Sequence, residues 1–163
     1  MSSSLPHPDH VLFQGEKPFP VLPAVDHYAG SEKLMRKALA LQHELGPVFD
    51  ITCDCEDGAH AGAEAAHASM AAGLIMSDDN RFGRVGARIH DITHPHWEQD
   101  VDILVSQAGE RLAFLTIPKP RSVADAARQI EGIRNAEERY GIEKEIPVHV
   151  LIETHGALRE AWD

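Results

Sequence analysis

Charged side chains follow four apolar segments of this 163-residue chain, each at the point where the segment ends. They are carboxylates, one guanidinium and one ammonium group: Asp54, Glu56, Asp57, Arg88, Lys119 and Glu153. In parallel α/β folds the carboxyl ends of the strands meet at one edge of the sheet, and functional sites lie there. Oxygen ligands beside cationic groups suit a hard divalent cation and an anionic substrate. The pattern therefore predicts a site of that chemistry.

Each of these residues also has a structural interpretation, which spacing alone leaves open. Glu153 could cap the helix that is predicted to start near Gly156. The acids at 54–57 could be charges that favour the positive end of a helix macrodipole. Arg88 could be a structural ion-pair partner, and Lys119 an ordinary loop residue.

The histidines and cysteines do not match a known metal-binding or redox spacing. His90, His94 and His96 fit neither H-E-x-x-H nor a paired Cys/His signature, so a zinc cluster is the weaker interpretation. Cys53 and Cys55 are two residues apart on a predicted strand, without the C-x-x-C spacing of a redox site. We expect both cysteines to be packing residues.

Apolar and β-branched runs predict five strands, with helical periodicity between them. The strands are predicted at 19–25, 48–55, 84–90, 112–117 and 147–152. The helices are predicted between Ser31 and Gly46, over 60–76, between Trp97 and Gly109, between Ser122 and Gly141, and over 156–163.

Three of these helices have an apolar stripe that we expect to be buried, and in the third helix it is Trp97, Val101, Leu104 and Val105. In the first helix the stripe is Leu34, Ala38, Leu41 and Leu45. In the fourth it is Val123, Ala126, Ile130 and Ile133, behind a Ser122–Asp125 pair that is similar to a capping box.

Strand–helix units of about 30 residues predict an α/β fold with a parallel sheet and right-handed crossovers. Continuous apolar strands predict a sheet that is buried on both faces. Two architectures fit, a doubly wound sandwich and a (β/α)8 TIM-type barrel. No G-x-G-x-x-G turn follows any strand, which removes the main support for a dinucleotide-binding sandwich.

A closed barrel needs eight strands and roughly 250 residues, which is more than this chain has. We therefore predict that residues 19–163 are the first five βα units of a longer barrel, with an open five-stranded sheet as the alternative. Residues 1–18 are rich in Ser, Pro and His, and we expect a mobile N-terminal arm there.

Composition excludes some classes of function. The formal net charge is −11, from 26 acidic and 15 basic residues, which argues against a nucleic-acid surface. No apolar run approaches the roughly 20 residues of a membrane helix, and no secretory signal is visible at the start. With two cysteines that cannot easily bridge each other, we expect a cytoplasmic protein.

Four segments together resemble the citrate lyase β-subunit and malyl-CoA lyase family. They are DCEDG at 54–58, ARIHD at 87–91, IPK at 117–119 and LIET at 151–154, in the order and spacing of that family. The resemblance runs from about Phe19 to the end of the chain. It implies a modified (β/α)8 barrel that breaks or forms carbon–carbon bonds in acyl-thioesters with Mg²⁺.

The resemblance also implies roles for single residues. Glu153 would bind the Mg²⁺ and contact the substrate, and Arg88 would be the catalytic arginine that contacts the substrate and steadies an enolate. Glu56 and Asp57 would lie near the metal and its waters. His90 stands where the family usually has asparagine. The implied partners are a small-molecule acyl-thioester, a 2-oxo acid and further copies of the chain in a homo-oligomer.

The sequence thus predicts a Mg²⁺-dependent lyase that acts on a 3-hydroxyacyl-thioester of the malyl-CoA, citramalyl-CoA or citryl-thioester type. One alternative is a class II aldolase that handles 4-hydroxy-2-oxo acids without CoA. The other is a non-catalytic fragment or binding module. The family's second metal ligand and its catalytic acid come later than the last residue here, so we expect the 163 residues alone not to be a competent lyase.

Overall fold

The structure is a computed structural model that describes residues 25–58 and 61–162. The predicted arm at 1–18 lies outside this part of the chain. The predicted first strand at 19–25 lies outside it except for Val25, and the first described strand begins directly after that residue.

Five strands alternate with five helices in the described residues. In chain order they are β1 Asp26–Ala29, α1 Glu32–Leu45, β2 Asp50–Asp54, α2 Glu64–Met76, β3 Val85–Arg88, α3 Trp97–Ala108, β4 Leu115–Ile117, α4 Val123–Tyr140, β5 Val148–Val150 and α5 His155–Arg159. Each strand after β1 is shorter than predicted, although the amides of Cys55, Ile89 and Leu151 just beyond the strand ends still donate to the neighbouring segment.

The strand order decides between the two predicted architectures. Every strand pairs in parallel with the next one along the chain, in the order β1-β2-β3-β4-β5, so that β1 and β5 are the edge strands. A doubly wound sheet reverses its strand order at a switch point, and this sheet does not. The fold is α/β with the consecutive order of a partial TIM-type barrel, and the sandwich alternative is wrong.

The two faces of the sheet differ in chemistry. One face is apolar and packs against the helices, with side chains that include Ala29, Ile51, Cys53, Val85, Ala87, Leu115 and Ile117. The alternate residues form a polar face that includes Asp26, Tyr28, Thr52, Asp54, Arg88, Thr116 and His149. On this polar face Thr52 and Thr116 are buried, whereas Tyr28 and His149 are exposed, so the prediction of a sheet buried on both faces holds only in part. A barrel explains this arrangement, since helices cover only its outer face.

The predicted stripe of α1 is also wrong. Its buried residues are Met35, Ala38, Leu39 and Gln42. Of the predicted set only Ala38 is buried, and Leu34 and Leu45 are 50% and 58% exposed. The buried face of α1 is therefore the one that carries Gln42, and the Nε2 of that residue donates to the carbonyl oxygen of Phe49 at 2.7 Å. In α4, Ile133 of the predicted stripe is buried, whereas Val123 is 45% exposed.

Three of the predicted helix ends are confirmed, whereas the last helix, predicted over 156–163, ends at Arg159. The Ser31 Oγ accepts from the Leu34 amide at 3.4 Å, and the Ser122 Oγ accepts from the Asp125 amide at 3.2 Å. Gly141 follows α4 with φ +65°, a left-handed conformation that favours glycine at this position. None of the described helices is long and apolar enough to cross a membrane.

A substitution on the polar face tests this packing. A Cβ at Gly86 of β3 would lie 2.5 Å from the Phe114 ring and from its carbonyl oxygen. We expect Gly86→Ala to lower the free energy of unfolding in urea by about 1–3 kcal/mol through overpacking. Gly73→Ala is the matched control, since that glycine lies within α2 with nothing within 4 Å of the added carbon. The control should be neutral or stabilising by up to about 1 kcal/mol, and equal losses in the two variants would contradict the packing described.

Candidate functional site at the carboxyl edge of the sheet

A bidentate ion pair joins the ends of β2 and β3. The strand register places Asp54 directly beside Arg88. Arg88 donates through Nε to Asp54 Oδ1 at 2.8 Å and through Nη2 to Oδ2 at 2.7 Å. The two side chains are only 12% and 9% exposed. This planar fork fixes the guanidinium in position and orientation.

The acids that follow β2 turn back over Arg88. Glu56 Oε2 lies 2.9 Å from Arg88 Nη1, an ion pair without hydrogen-bond geometry, and Asp57 Oδ2 accepts from Nη2 at 2.8 Å. Asp54 Oδ1 also accepts from the amides of Glu56 and Asp57 at 3.1 and 3.4 Å, which fixes the turn. Burial lowers the pKa of Arg88, but the hydrogen bond and charge of Asp54, with the other two acids, raise it above its ordinary value.

Glycine at position 58 allows this turn to close. A Cβ on Gly58 would overlap the carbonyl oxygens of Asp54 and Gly30, and Gly30 itself follows β1. Only a residue without a side chain lets the two loops approach so closely. The position of the acids at 54–57 therefore depends on contact with the β1–α1 loop.

Lys119 connects this cluster to Glu153. Its Nζ donates to Glu56 Oε1 at 2.9 Å, and its backbone amide donates to Glu153 Oε1 at 3.0 Å. The hydrogen bond that Lys119 donates to Glu56 raises the pKa of Lys119. Lys119 has φ +50°, the only non-glycine residue with positive φ in the described part of the chain. It is a loop residue, as predicted, but one that bridges β2 and β5 across the edge.

The structure thus brings the predicted residues Arg88, Glu56 and Asp57 into direct contact and joins Glu153 to them through Lys119. The alternative that Glu153 caps α5 is wrong, because the N-cap is Thr154, whose Oγ1 accepts from the Ala157 amide at 3.0 Å. The acids at 54–57 do not lie in the first turn of α2, where the acidic residue is Glu64.

Some neighbours of the site were not predicted. The Arg88 guanidinium lies 5.3 Å from the centre of the Tyr28 ring, a cation–π contact from β1. Below it, the Thr52 hydroxyl donates to both carboxylate oxygens of Asp26, at 2.8 and 2.9 Å. The alternation of polar residues at 26 and 28 was an available signal, but the first strand was predicted at 19–25, before these residues. Cys53 and Cys55 are buried and free, in agreement with their predicted packing role.

The carboxylate oxygens at this edge fit Mg²⁺ as ligands in type and charge, but too few of them are grouped together. Three carboxylates share contacts with two cations, and the carboxylate of Glu153 accepts from a backbone amide, which leaves negative charge in excess. Glu56 Oε2 is buried without a hydrogen-bond partner among the described residues, and desolvation raises the pKa of Glu56 despite Lys119 and Arg88. Within 25–58 and 61–162, however, no three His, Cys, Asp or Glu side chains are grouped to hold a metal ion.

The comparisons with known proteins give a family. No protein-family model and no curated protein matches the chain. A crystal structure titled as a citrate lyase, from Burkholderia xenovorans LB400, is 56% identical in sequence with a TM-score of 0.81, over 85% of this chain. This chain belongs to the citrate lyase β-subunit-like family. The predicted resemblance is therefore confirmed, and the chain spans 43% of the length of that relative.

Membership in the citrate lyase β-subunit-like family agrees with the consecutive strand order, since both indicate a partial TIM-type barrel. The four segments that carried the resemblance include every residue of the charged cluster at the carboxyl edge. The segments that carried the resemblance and the charged cluster of the structure thus indicate the same part of the fold as the candidate site.

The contribution of the buried fork is measurable. Asp54→Asn removes the charge and places a donor against Arg88, so that a buried guanidinium loses its main partner. We expect a loss of about 3–5 kcal/mol in the free energy of unfolding. Asp57→Asn is the control, since its side chain is 67% exposed and should cost at most about 1 kcal/mol. Similar losses in both variants, measured by urea denaturation, would show that the fork is not the main contact.

Proposed function

We propose that the protein is a carbon–carbon lyase that cleaves or forms a 3-hydroxyacyl-thioester of the malyl-CoA, citramalyl-CoA or citryl-thioester type, with Mg²⁺. The observation that carries this proposal is the Arg88 cluster at the carboxyl edge of a chain 56% identical to a citrate lyase. By the same family relation we infer a homo-oligomer, and from the cysteine content a cytoplasmic location.

In this proposal Arg88 binds the substrate and stabilises the negative charge of an enolate oxygen. Asp54 holds the guanidinium in place before the reaction, so little reorganisation is needed when charge develops. Asp57 is the exposed partner of Nη2, whereas Asp54 is buried. Asp57 is therefore the contact that a substrate oxygen displaces.

Glu153 is the proposed metal ligand, and its acceptor contact with the Lys119 amide orients the carboxylate. When bound, Mg²⁺ polarises the carbonyl group of the 2-oxo acid as a Lewis acid. Glu56 and Asp57 would orient waters of the metal. The remaining ligands would be waters and carboxylates outside residues 25–58 and 61–162.

The Glu153 assignment predicts a metal-dependent stability. In the full-length product of the gene, Mg²⁺ should raise the melting temperature as its concentration increases. Glu153→Gln removes the ligand charge and should abolish this rise, as measured by differential scanning fluorimetry. Glu145→Gln, which removes an 80% exposed carboxylate in the loop before β5, should leave the rise intact. A rise that persists in Glu153→Gln would refute the ligand assignment.

The Arg88 assignment predicts a loss of turnover without a loss of metal binding. Lysine keeps the charge but cannot reproduce the planar fork, so Arg88→Lys should lower kcat by about 10²–10³-fold. The Mg²⁺-dependent rise in melting temperature should remain. Unchanged cleavage of the thioester by the variant would remove Arg88 from the mechanism.

The thioester cleavage assay also separates the lyase from its two alternatives, the class II aldolase and the non-catalytic module. Cleavage of a 4-hydroxy-2-oxo acid without any CoA requirement would favour the class II aldolase. An absence of cleavage together with an absence of any metal effect would favour a non-catalytic module.

A further inference from the structure

A buried histidine next to the candidate site is fixed by a carboxylate. His90 Nδ1 lies 2.6 Å from Asp100 Oδ2, which also accepts from the His90 amide at 2.9 Å. The two side chains are 5% and 1% exposed. Gln129 of α4 donates to the His90 carbonyl oxygen at 3.1 Å. Contacts from α3 and α4 therefore hold both the ring and its backbone.

The second ring nitrogen is the one available for chemistry. A carboxylate can only accept, so the proton of neutral His90 is on Nδ1, and Nε2 carries the lone pair. No described residue forms a hydrogen bond with Nε2, and Nε2 is not among the enclosed polar atoms without partners. His90 lines a cavity of about 290 Å³ together with Glu56, Asp57 and Lys119 of the charged cluster. Nε2 thus borders the same space as the proposed substrate-binding residues.

Charged and titratable groups surround this imidazole on several elements. Asp100 lies on α3. The His94 ring stacks on the His90 ring with 4.0 Å between the ring centres, and the centre of the His96 ring lies 6.5 Å from that of His90. Glu56, Glu64, Asp57, Asp91 and Lys119 line the same cavity. Burial lowers the pKa of His90, but the hydrogen bond and charge of Asp100, with Glu56 and Glu64, raise it above its ordinary value. An imidazole can both accept and donate a proton, which is the capacity a general acid–base group needs.

We propose that His90 is a catalytic residue that carries the proton in the lyase reaction, with Asp100 as its positioning residue. This inference rests on the proposed function, and it gives His90 a role particular to this chain, since the family usually has asparagine at this position. In the cleavage direction, Nε2 of neutral His90 takes the proton of the substrate's 3-hydroxyl group while the bond from that carbon to the α-carbon breaks. The bonding pair moves to the thioester as its enolate, and the hydroxyl-bearing carbon becomes a carbonyl. The same proton then passes from Nε2 to the α-carbon, which releases the acyl-thioester and restores neutral His90.

The arrangement of His90 and Asp100 can be tested without any activity. In a ¹⁵N NMR titration of the chain, the His90 signals are those that disappear in His90→Asn. We expect the neutral form to carry its proton on Nδ1, with a midpoint above the usual value of about 6.5. Asp100→Asn removes the carboxylate and should lower that midpoint. A neutral form protonated on Nε2, or a midpoint that Asp100→Asn leaves in place, overturns the pairing.

Kinetics of the full-length protein test the proton transfer itself. His90→Asn keeps a side-chain N–H that can donate to Asp100 but has no group that titrates. We expect kcat to fall by roughly 10²–10⁴-fold with KM little changed, and the limb of the pH profile that reports His90 to disappear. Asp100→Asn should move that limb to lower pH. His43→Asn is the control, since His43 of α1 contacts the Asp79 carbonyl oxygen outside the charged cluster.

The outcomes separate the two proposals. If the unchanged protein cleaves the thioester and His90→Asn does so within about twofold of its kcat, or if the pH limb stays, this inference is overturned and the lyase proposal stands. If the unchanged protein cleaves none of the proposed thioesters, both are overturned.

Discussion

The contact between Asp54 and Arg88 determines the arrangement of the carboxyl edge. Two charges that lie almost out of water are tolerable only if each satisfies the other, and the fork geometry does so with two hydrogen bonds. The same carboxylate accepts the amides that turn the chain toward Glu56 and Asp57. Glu56 then holds Lys119, whose amide orients Glu153. The ends of β2 to β5 are thus connected by one continuous network that starts from this pair.

Most elements of the fold could be predicted because their signals are local. Ser31, Ser122 and Gly141 end helices through contacts within a few residues, and the structure confirms each. The consecutive order of the strands followed from the barrel interpretation and is confirmed, although periodicity alone left the doubly wound sandwich open, because pairing is set by residues about 30 positions apart. The buried face of α1 could not be predicted, since apolar residues occupy two adjacent faces and the Gln42 contact with Phe49 selects between them.

The site was predictable where its residues follow the carboxyl ends of parallel strands, since functional sites of such folds lie there. Arg88, Glu56 and Asp57 all follow strands, and neighbouring strands bring them together. The bridging role of Lys119 was not predictable, because it depends on a left-handed backbone conformation and on a partner 63 positions away. The pairing of His90 with Asp100 was not predictable either, because it depends on how α3 packs against the end of β3.

The two edge strands have a consequence for handling the protein. Among the described residues, β1 and β5 each pair on one side only, so a row of backbone donors and acceptors is unpaired at both edges. Val25, directly before β1, and Ile152, two residues after β5, are 57% and 48% exposed. Such edges promote strand-to-strand association between molecules. Where these edges stay uncovered, self-association in dilute buffer would therefore depend strongly on concentration, through backbone pairing that is separate from any specific subunit interface.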